Sequence, residues 1–221
     1  NQSAHIYQGS SGGKNWQSNN HINSSGKNPL TQKGFVCSID DIGTACHRAD
    51  PLIFSNAGIS VYVENFWQNF PKALSANNDN LFIELFPKQF PDAFELQGGE
   101  KKTHTLYLDF SDNPGALDWA RHPLLPQLSP GYYASTDTLF HFSTQPEPID
   151  AIIKKGLSET NGFMAKRELT DEYGWRNFGD IVADHESLYL PDGEIFTSHY
   201  NNQYDPLYGF IRQYICTGNP Q

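Results

Sequence analysis

The sequence predicts a mainly β protein: an antiparallel β-sandwich followed by a few α-helices. Aromatic residues make up 14% of the 221 residues, and short runs of strand-forming residues alternate with turn residues through the first half of the chain. After Pro148 the apolar residues change to three- and four-residue spacing, which is typical of helices. A sheet region followed by helices is the simplest architecture that satisfies both patterns.

The predicted strands are four short segments rich in β-branched and aromatic residues. They cover residues 35–37, 59–63, 81–86 and 103–110. Turn sequences at 77–80 and 97–100 supply the Asn and Gly residues that tolerate left-handed backbone, as hairpin connections require. The Gly-, Ser- and Asn-rich stretch before residue 34 is expected to form ordered loop or edge structure. Its segment 9–14 does not meet the phosphate-binding pattern GxxxxGK[ST].

Two helices are predicted in the last third of the chain. Pro148 can occupy a first helical turn, and Ile149, Ile152, Ile153 and Leu157 recur at helical spacing, which predicts an amphipathic helix over 148–160. A second helix is expected over 205–216, because apolar residues recur there at helical spacing before a Thr-Gly-Asn-Pro stop signal.

The charge balance excludes some classes of partner. The chain has 15 Lys and Arg against 25 Asp and Glu, a net charge of −10, and no long basic run, so nucleic acid is not an expected partner. No apolar run reaches the roughly 18 residues of a membrane-spanning helix, so no membrane partner is expected. An acidic protein repels polyanions at long range, and an acidic ligand would therefore require a local cationic pocket.

Cysteine and metal-ligand patterns leave several alternatives open. Cys37 and Cys46 are close in sequence and could form a disulfide, whereas Cys216 is expected to be a buried thiol. No Cys pairs have zinc spacing. Oxygen and nitrogen ligands for Ca²⁺ or a transition metal are available if a second segment contributes, and no other cofactor is expected. These ligands are Asp180, Asp184, His185 and Glu186.

Three segments carry a resemblance to a known family: NFWQNFPKAL at 65–74, ELQGGEKKTH at 95–104 and HYNNQYD at 199–205. The sequence resembles the exo-rhamnogalacturonan-lyase-like family, whose members have an N-terminal RIFT barrel, a central β-sandwich and a C-terminal α/α toroid. The resemblance implies that residues 1 to about 145 form the central sandwich and that residues 146–221 form the first toroid helices. It also implies a fragment of a longer chain, with an extracellular or periplasmic location.

The family resemblance implies cleavage of a uronate-containing glycan by β-elimination. This reaction needs a base for the C5 proton, a donor for the leaving oxygen and a group that neutralises the carboxylate. The expected catalytic residues are His199, Tyr200, Asn202 and Arg176, and the expected substrate-binding residues are His185, Asn201, Tyr204 and Trp175. The expected partners are an acidic polysaccharide, further domains of a longer chain, or a second copy of this chain.

Other interpretations remain open at this point. Asn201 or Asn202 could instead cap the final helix, and the chain could be a non-catalytic carbohydrate-binding or structural sandwich, including a filament component. A glycoside hydrolase would use Asp180 with Glu186. Trp67 is expected in the core, and the strand-edge residues Glu100, Lys101 and His104 receive no role. Arg48 is expected in an ion network with Asp40, Asp41 and Asp50.

Overall fold

A computed structural model describes most of the chain, in two compact units. The described residues are 3–39, 42–55, 57–77, 80–139, 142–145, 147–158, 160, 162–183, 198–199 and 205–220, with only the backbone described at 42–46, 182–183 and 198–199. The first unit is Asn1–Pro123 with Glu168–Asp180, and the second is Leu124–Arg167 with Ile181–Gln221. The predicted division near residue 145 stays a prediction.

The first unit contains a five-stranded antiparallel sheet in the order β3-β2-β1-β6-β7. Its strands are β1 (Ala4–Gln8), β2 (Phe35–Ile39), β3 (Ile42–Cys46), β6 (Lys72–Asn77) and β7 (Asn80–Glu84). The central strand β1 pairs Gln8 with Phe35 on one side and with Lys72 on the other. Phe35 also lies opposite Cys46, and Cys37 lies opposite Thr44. The side chain of Cys46 is outside the described residues, so the disulfide stays a prediction.

A three-stranded antiparallel sheet packs against the first sheet and completes the sandwich. It has the order β4-β5-β8, with β4 at Leu52–Phe54, β5 at Ser60–Val63 and β8 at Leu106–Asp109. Ile6 and Leu74 from the first sheet and Val61 and Val63 from the second form one buried cluster. The predicted mainly β class with antiparallel sheets followed by helices is therefore confirmed.

The strand β5 is buried on both faces. Val61 and Val63 point into the core between the sheets, whereas Tyr62 packs with Leu117 and Ala120 on the opposite face. This alternation follows from the two-residue period of a strand. The apolar run that predicted this strand thus marks a strand covered on both sides.

Six α-helices and one short 3-10 helix complete the described structure. The helices are α1 (Asp118–Arg121), α2 (Pro130–Thr136), α3 (Asp150–Gly156), α4 (Phe163–Thr170), α5 (Gly174–Asn177) and α6 (Pro206–Thr217), and the 3-10 helix is Asn19–His21. Two short strands, β9 (Val182–Ala183) and β10 (Ser198–His199), pair with each other. Within the described ranges, none of these helices has the length and apolar content needed to cross a bilayer.

The final helix confirms the prediction for 205–216, and its cap corrects one alternative. Asp205 Oδ1 accepts a hydrogen bond from Tyr208 N at 3.3 Å, and Asp205 is the N-cap residue. The interpretation that Asn201 or Asn202 caps this helix is therefore wrong. An Asp side chain immediately before Pro206 satisfies the first-turn amide, and the proline needs no partner there.

Candidate functional site

The segment Glu168–Asp180 is fixed in the first unit by the buried carboxylate of Asp171. Ser11 Oγ donates to Asp171 Oδ1 at 2.5 Å, and His21 Nε2 lies 2.7 Å from Oδ2. Asp171 is fully buried, so these two partners replace the hydration that its carboxylate has lost. The three residue types are those of a hydrolytic triad, but a triad requires the imidazole between hydroxyl and carboxylate. Here the carboxylate lies between the other two, and the group is structural.

The polar N-terminal stretch supplies most other partners of this segment. Asn15 Nδ2 donates to Leu169 O at 2.7 Å, and Ser18 Oγ donates to Thr170 O at 2.6 Å. These bonds supply donors to the carbonyls at the end of α4, which have no N–H partner inside the helix. The region predicted as ordered loop is therefore a set of hydrogen-bonding groups that holds a segment about 150 residues later in sequence.

Arg48 forms a second attachment of the segment. Its Nη2 lies 2.7 and 3.0 Å from the two carboxylate oxygens of Glu168, and its guanidinium stacks 4.0 Å from the Trp67 ring centroid. Asp50 pairs instead with Arg121, at 3.3 Å. The expected Arg48–Asp50 pairing is therefore wrong, because stacking on an aromatic face and a carboxylate from α4 already occupy the Arg48 guanidinium.

The short helix α5 presents Trp175 and Arg176. Gly174 N donates to Gln68 O at 2.7 Å, and Trp175 N donates to Phe70 O at 2.5 Å. Gly174 has a φ of +91°, and a Cβ there would lie 2.9 Å from the Phe70 ring. Only glycine fits both the backbone conformation and this close approach. The helix is therefore fixed against the 68–70 loop.

Trp175 and Arg176 line an open groove of about 510 Å³. Trp175 is buried and packs edge-on against Phe86 and Phe94, whereas Arg176 is exposed and donates through Nη1 to Ile22 O at 2.9 Å. The charged residues of the groove are the cations Lys101, Lys102 and Arg176 and the carboxylates Glu95, Glu100 and Asp180. Such a mixture of donors and acceptors beside an aromatic ring suits a polyhydroxylated ligand.

A second cavity, which we call the basic pocket, adjoins this groove. It has a volume of about 310 Å³, and Lys101, Lys102 and Phe178 line both cavities. Asn69, His104 and Glu64 also line the basic pocket. Lys102 Nζ donates to Phe178 O at 3.1 Å, so the segment that carries Trp175 also positions this lysine.

A buried lysine lies behind the basic pocket. Lys72 is only 1% exposed, and its Nζ lies 3.0 Å from His104 Nδ1, with Asn69 Nδ2 at 3.4 Å from the same nitrogen. Both neighbours are donors, so Nδ1 is the acceptor and the neutral imidazole carries its proton on Nε2. Among the described residues no carboxylate lies within ion-pair distance of Lys72.

Burial lowers the pKa values of the three basic groups. Burial, reinforced by the Lys102 charge, lowers the pKa of Lys72 to about 7. Burial, with the charges of Lys72 and Lys102, lowers the pKa of His104 to about 4. Burial also lowers the pKa of Lys102, although the negative charge of Asp180 acts to raise it. A cluster of basic groups with depressed pKa values is an arrangement that a bound anion would stabilise.

The structure places two of the eight predicted site residues at this site. Arg176 and Trp175 line the groove. His199 lies in β10, where its backbone pairs with Val182, and its side chain is outside the described residues. The predicted residues His185, Tyr200, Asn201, Asn202 and Tyr204 are also outside the described residues. These six assignments stay predictions.

Sequence reasoning missed Lys72, Asn69 and Lys102 and gave His104 no role. One signal was present: Lys72 stands directly before the buried apolar pair Ala73 and Leu74. A lysine that begins a buried strand is uncommon, because its charge must be paired or lost. The proximity of Lys72 to His104 could not be read from the sequence, since 32 positions separate them.

Metal binding and family membership receive no support beyond the sequence. In the part of the chain that the structure describes, no group of three or more His, Cys, Asp or Glu residues is arranged to hold a metal ion. Asp184, His185 and Glu186 lie outside that part, so the Ca²⁺ site stays a prediction. No protein-family profile matches the chain, and no curated protein sequence matches it. The resemblance to the lyase-like family therefore also stays a prediction.

Substitution of Asp171 tests the attachment of the segment. We expect Asp171→Asn to lower the free energy of unfolding by about 1–3 kcal/mol, because one buried hydrogen bond loses its acceptor. Asn keeps the preference for the left-handed backbone at this position, where φ is +55°. The measurement is urea unfolding at pH 7.

Asp137 offers a matched control, since it is exposed and also left-handed, with φ of +51°. We expect Asp137→Asn to change stability by less than about 0.5 kcal/mol. Equal effects of the two substitutions would contradict the structural role of the Asp171 carboxylate.

Substitution of Lys72 tests the cost of its burial. We expect Lys72→Met to raise the free energy of unfolding at pH 7 by about 1–3 kcal/mol, because a buried unpaired cation is replaced by an apolar chain of similar size. The native pKa is below the unfolded pKa, so the unfolded state binds more protons between pH 7 and about 10.5, and wild-type stability rises with pH over that interval.

The advantage of Lys72→Met should therefore shrink between pH 7 and pH 9 in urea unfolding. Lys88→Met is the control, because Lys88 is exposed and lines neither cavity. A Lys72→Met protein that is less stable than wild type at both pH values would show that the amine stabilises the fold.

Proposed function

We propose that the protein binds an acidic, uronate-containing polysaccharide along the groove beside α5 and takes part in its cleavage by β-elimination. The observation that carries the proposal is the grouping of Arg176, Lys101 and Lys102 on one open groove of a chain whose net charge is −10. Cations are scarce in this chain. Three of them line this groove together with the carboxylates Glu95, Glu100 and Asp180, and two of the three, Lys101 and Lys102, also line the basic pocket.

Arg176 is the residue best suited to hold a carboxylate. Its guanidinium has five N–H donors in a planar fork that matches a carboxylate, and one hydrogen bond to Ile22 O fixes its position. Trp175 lies directly before it and contributes an aromatic wall, 7% exposed. The carboxylates in the groove can accept hydrogen bonds from sugar hydroxyls, and Ser24 already orients Glu95 through a 2.7 Å hydrogen bond.

The elimination step needs a base that reaches the C5 proton of a uronate. His199, Tyr200 and Asn202, which belong to the second unit, remain the residues that the sequence proposes for this proton transfer and for neutralisation of the carboxylate. Arg176 stabilises the negative charge that develops on that carboxylate in the transition state. His185, Asn201 and Tyr204 are proposed to contact the glycan.

A second function, glycan binding without cleavage, is favoured by one observation. Of the bases that the structure describes next to the groove, Lys72 is only 1% exposed, and the basic nitrogen of His104, Nδ1, already accepts a hydrogen bond from Lys72. A general base must lie within hydrogen-bond reach of the proton that it removes. If the chain binds acidic glycans and releases no unsaturated product, it acts as a non-catalytic binding module.

Replacement of Arg176 tests the proposal. We expect the chain to bind at least one member of a panel of uronate-containing polysaccharides in calorimetry, and Arg176→Gln to weaken that binding about tenfold or more. Lys88→Gln removes one positive charge from a site outside both cavities and should leave the affinity within about twofold. Cleavage is followed in parallel as the rise in ultraviolet absorbance from unsaturated sugar ends.

Binding with product supports the lyase, and binding without product supports the binding module. Absence of binding to every acidic glycan, or equal loss in Arg176→Gln and Lys88→Gln, would overturn both functions.

A further inference from the structure

We propose that the basic pocket is a proton-linked binding site for a carboxylate that carries a neighbouring hydroxyl group, with Asn69 and His104 as its direct contacts and Lys72 as the group that takes up the proton. This inference deepens the proposed function, because a terminal uronate with a free C4 hydroxyl is such a ligand, but it does not depend on glycan cleavage.

The first argument is a pair of buried polar atoms that lack partners. Asn69 Oδ1 and His104 Nε2 are both buried, and neither has a hydrogen-bond partner among the described residues. Asn69 is 5% exposed, and both side chains line the basic pocket. A buried polar atom without a partner costs about 1–3 kcal/mol, so two in one pocket indicate a place that a polar ligand fills.

The second argument is the chemical type of these two atoms. Since His104 Nδ1 accepts from Lys72, Nε2 carries the proton and is a donor, whereas Asn69 Oδ1 is an acceptor. A ligand that satisfies both must offer an acceptor and a donor side by side. A carboxylate oxygen next to a hydroxyl meets this requirement, but a simple carboxylate without a hydroxyl provides only acceptors.

The third argument is the charge around the pocket. Lys101 and Lys102 line it, with Glu64 as the carboxylate of the same cavity, and Asp180 acts on Lys102 from the side of the groove. Lys72 faces His104 and Asn69 from β6, and its strand neighbour Gln8 is neutral and donates to Ser10 O and His47 O. The pocket is therefore net cationic, which favours an anion.

Proton uptake follows from the position of Lys72 behind His104. Its amine contacts the imidazole at 3.0 Å, and burial, with the charge of Lys102, holds its pKa at about 7. An anion in the pocket stabilises the charged form of this amine and raises its pKa. Above pH 7 the protein must then bind a proton together with the ligand, and affinity must fall as pH rises.

The test measures the binding of glucuronate to the full chain by calorimetry, at several pH values from 7 to 9 and in two buffers of different ionisation enthalpy. We expect uptake of up to one proton per bound glucuronate at pH 8, and an affinity that falls by up to about tenfold per pH unit above pH 7. Glucose, which has the hydroxyls without the carboxylate, should bind at least tenfold more weakly.

Two variants separate the roles. Lys72→Met should abolish proton uptake and leave weaker, pH-independent binding, whereas Lys88→Met should keep the wild-type affinity and pH dependence. Asn69→Leu should remove the acceptor and lower the affinity for glucuronate about tenfold, but it should leave the affinity for acetate, which has no hydroxyl, unchanged. Circular dichroism confirms that each variant is folded.

The proposal would be overturned if glucuronate binding did not depend on pH, if Lys72→Met took up as many protons as the wild type, or if glucose bound with the same affinity as glucuronate. Preference for inorganic phosphate over glucuronate would overturn the assignment of the ligand as a carboxylate. Proton-linked glucuronate binding in a chain that binds no acidic polysaccharide would reject the groove function alone. Polysaccharide binding that Lys72→Met leaves unchanged at every pH would reject the basic pocket alone.

Discussion

The buried carboxylate of Asp171 anchors the segment that brings Trp175, Arg176 and Phe178 to the groove and the basic pocket. It is fully buried and is held by Ser11 and His21, two residues of the polar N-terminal stretch. A charge in this position requires both partners, because an unpaired buried charge costs several kcal/mol. Together with the Arg48–Glu168 pair and the backbone hydrogen bonds of Gly174 and Trp175, the Asp171 carboxylate fixes the segment that carries Trp175, Arg176 and Phe178 to the cavities.

The second constraint is the conflict at Lys72. Strand β6 places the side chain where burial opposes its charge, and the resulting fall in pKa reduces the stability of the fold near neutral pH. Native proteins tolerate such costs most often where a site uses the perturbed group. The structure offers Lys72 one neutral imidazole acceptor in place of a carboxylate, which leaves the amine responsive to a negative charge in the adjacent cavity.

The net charge of the chain also affects how an acidic ligand reaches the site. The net charge of −10 repels an acidic polymer at distances beyond contact, and salt screens this repulsion over about 10 Å at 0.1 M ionic strength. Once a carboxylate reaches the groove, the cations available to it are Lys101, Lys102 and Arg176, which lie beside the carboxylates Glu95, Glu100 and Asp180. An acidic ligand would therefore bind through short-range contacts, and moderate salt would favour its approach.

The sequence by itself determined the antiparallel sheets, the strands at 35–37 and 59–63 and the last helix. The turn at 97–100 is present, but the prediction that it connects a hairpin is wrong, because β7 and β8 on either side of it belong to different sheets. Each of these depends on local chemistry: strand-forming residues in short runs, Gly and Asn at turns, and apolar residues at helical spacing. Arg176 and Trp175 could be proposed for the same reason, since their residue types indicate carboxylate and sugar binding without knowledge of the fold.

Only the tertiary structure decided the rest. β1 lies in a stretch whose Gly, Ser and Asn residues indicate loops, and it becomes a central strand because β2 and β6 pair with both of its edges. His104 became a candidate site residue only because it contacts Lys72. The structural role of the N-terminal polar residues became visible only because Ser11 and His21 hold Asp171. Such contacts join residues 32 to 160 positions apart. They depend on how the sheets and the returning segment pack, and local sequence patterns do not encode that packing.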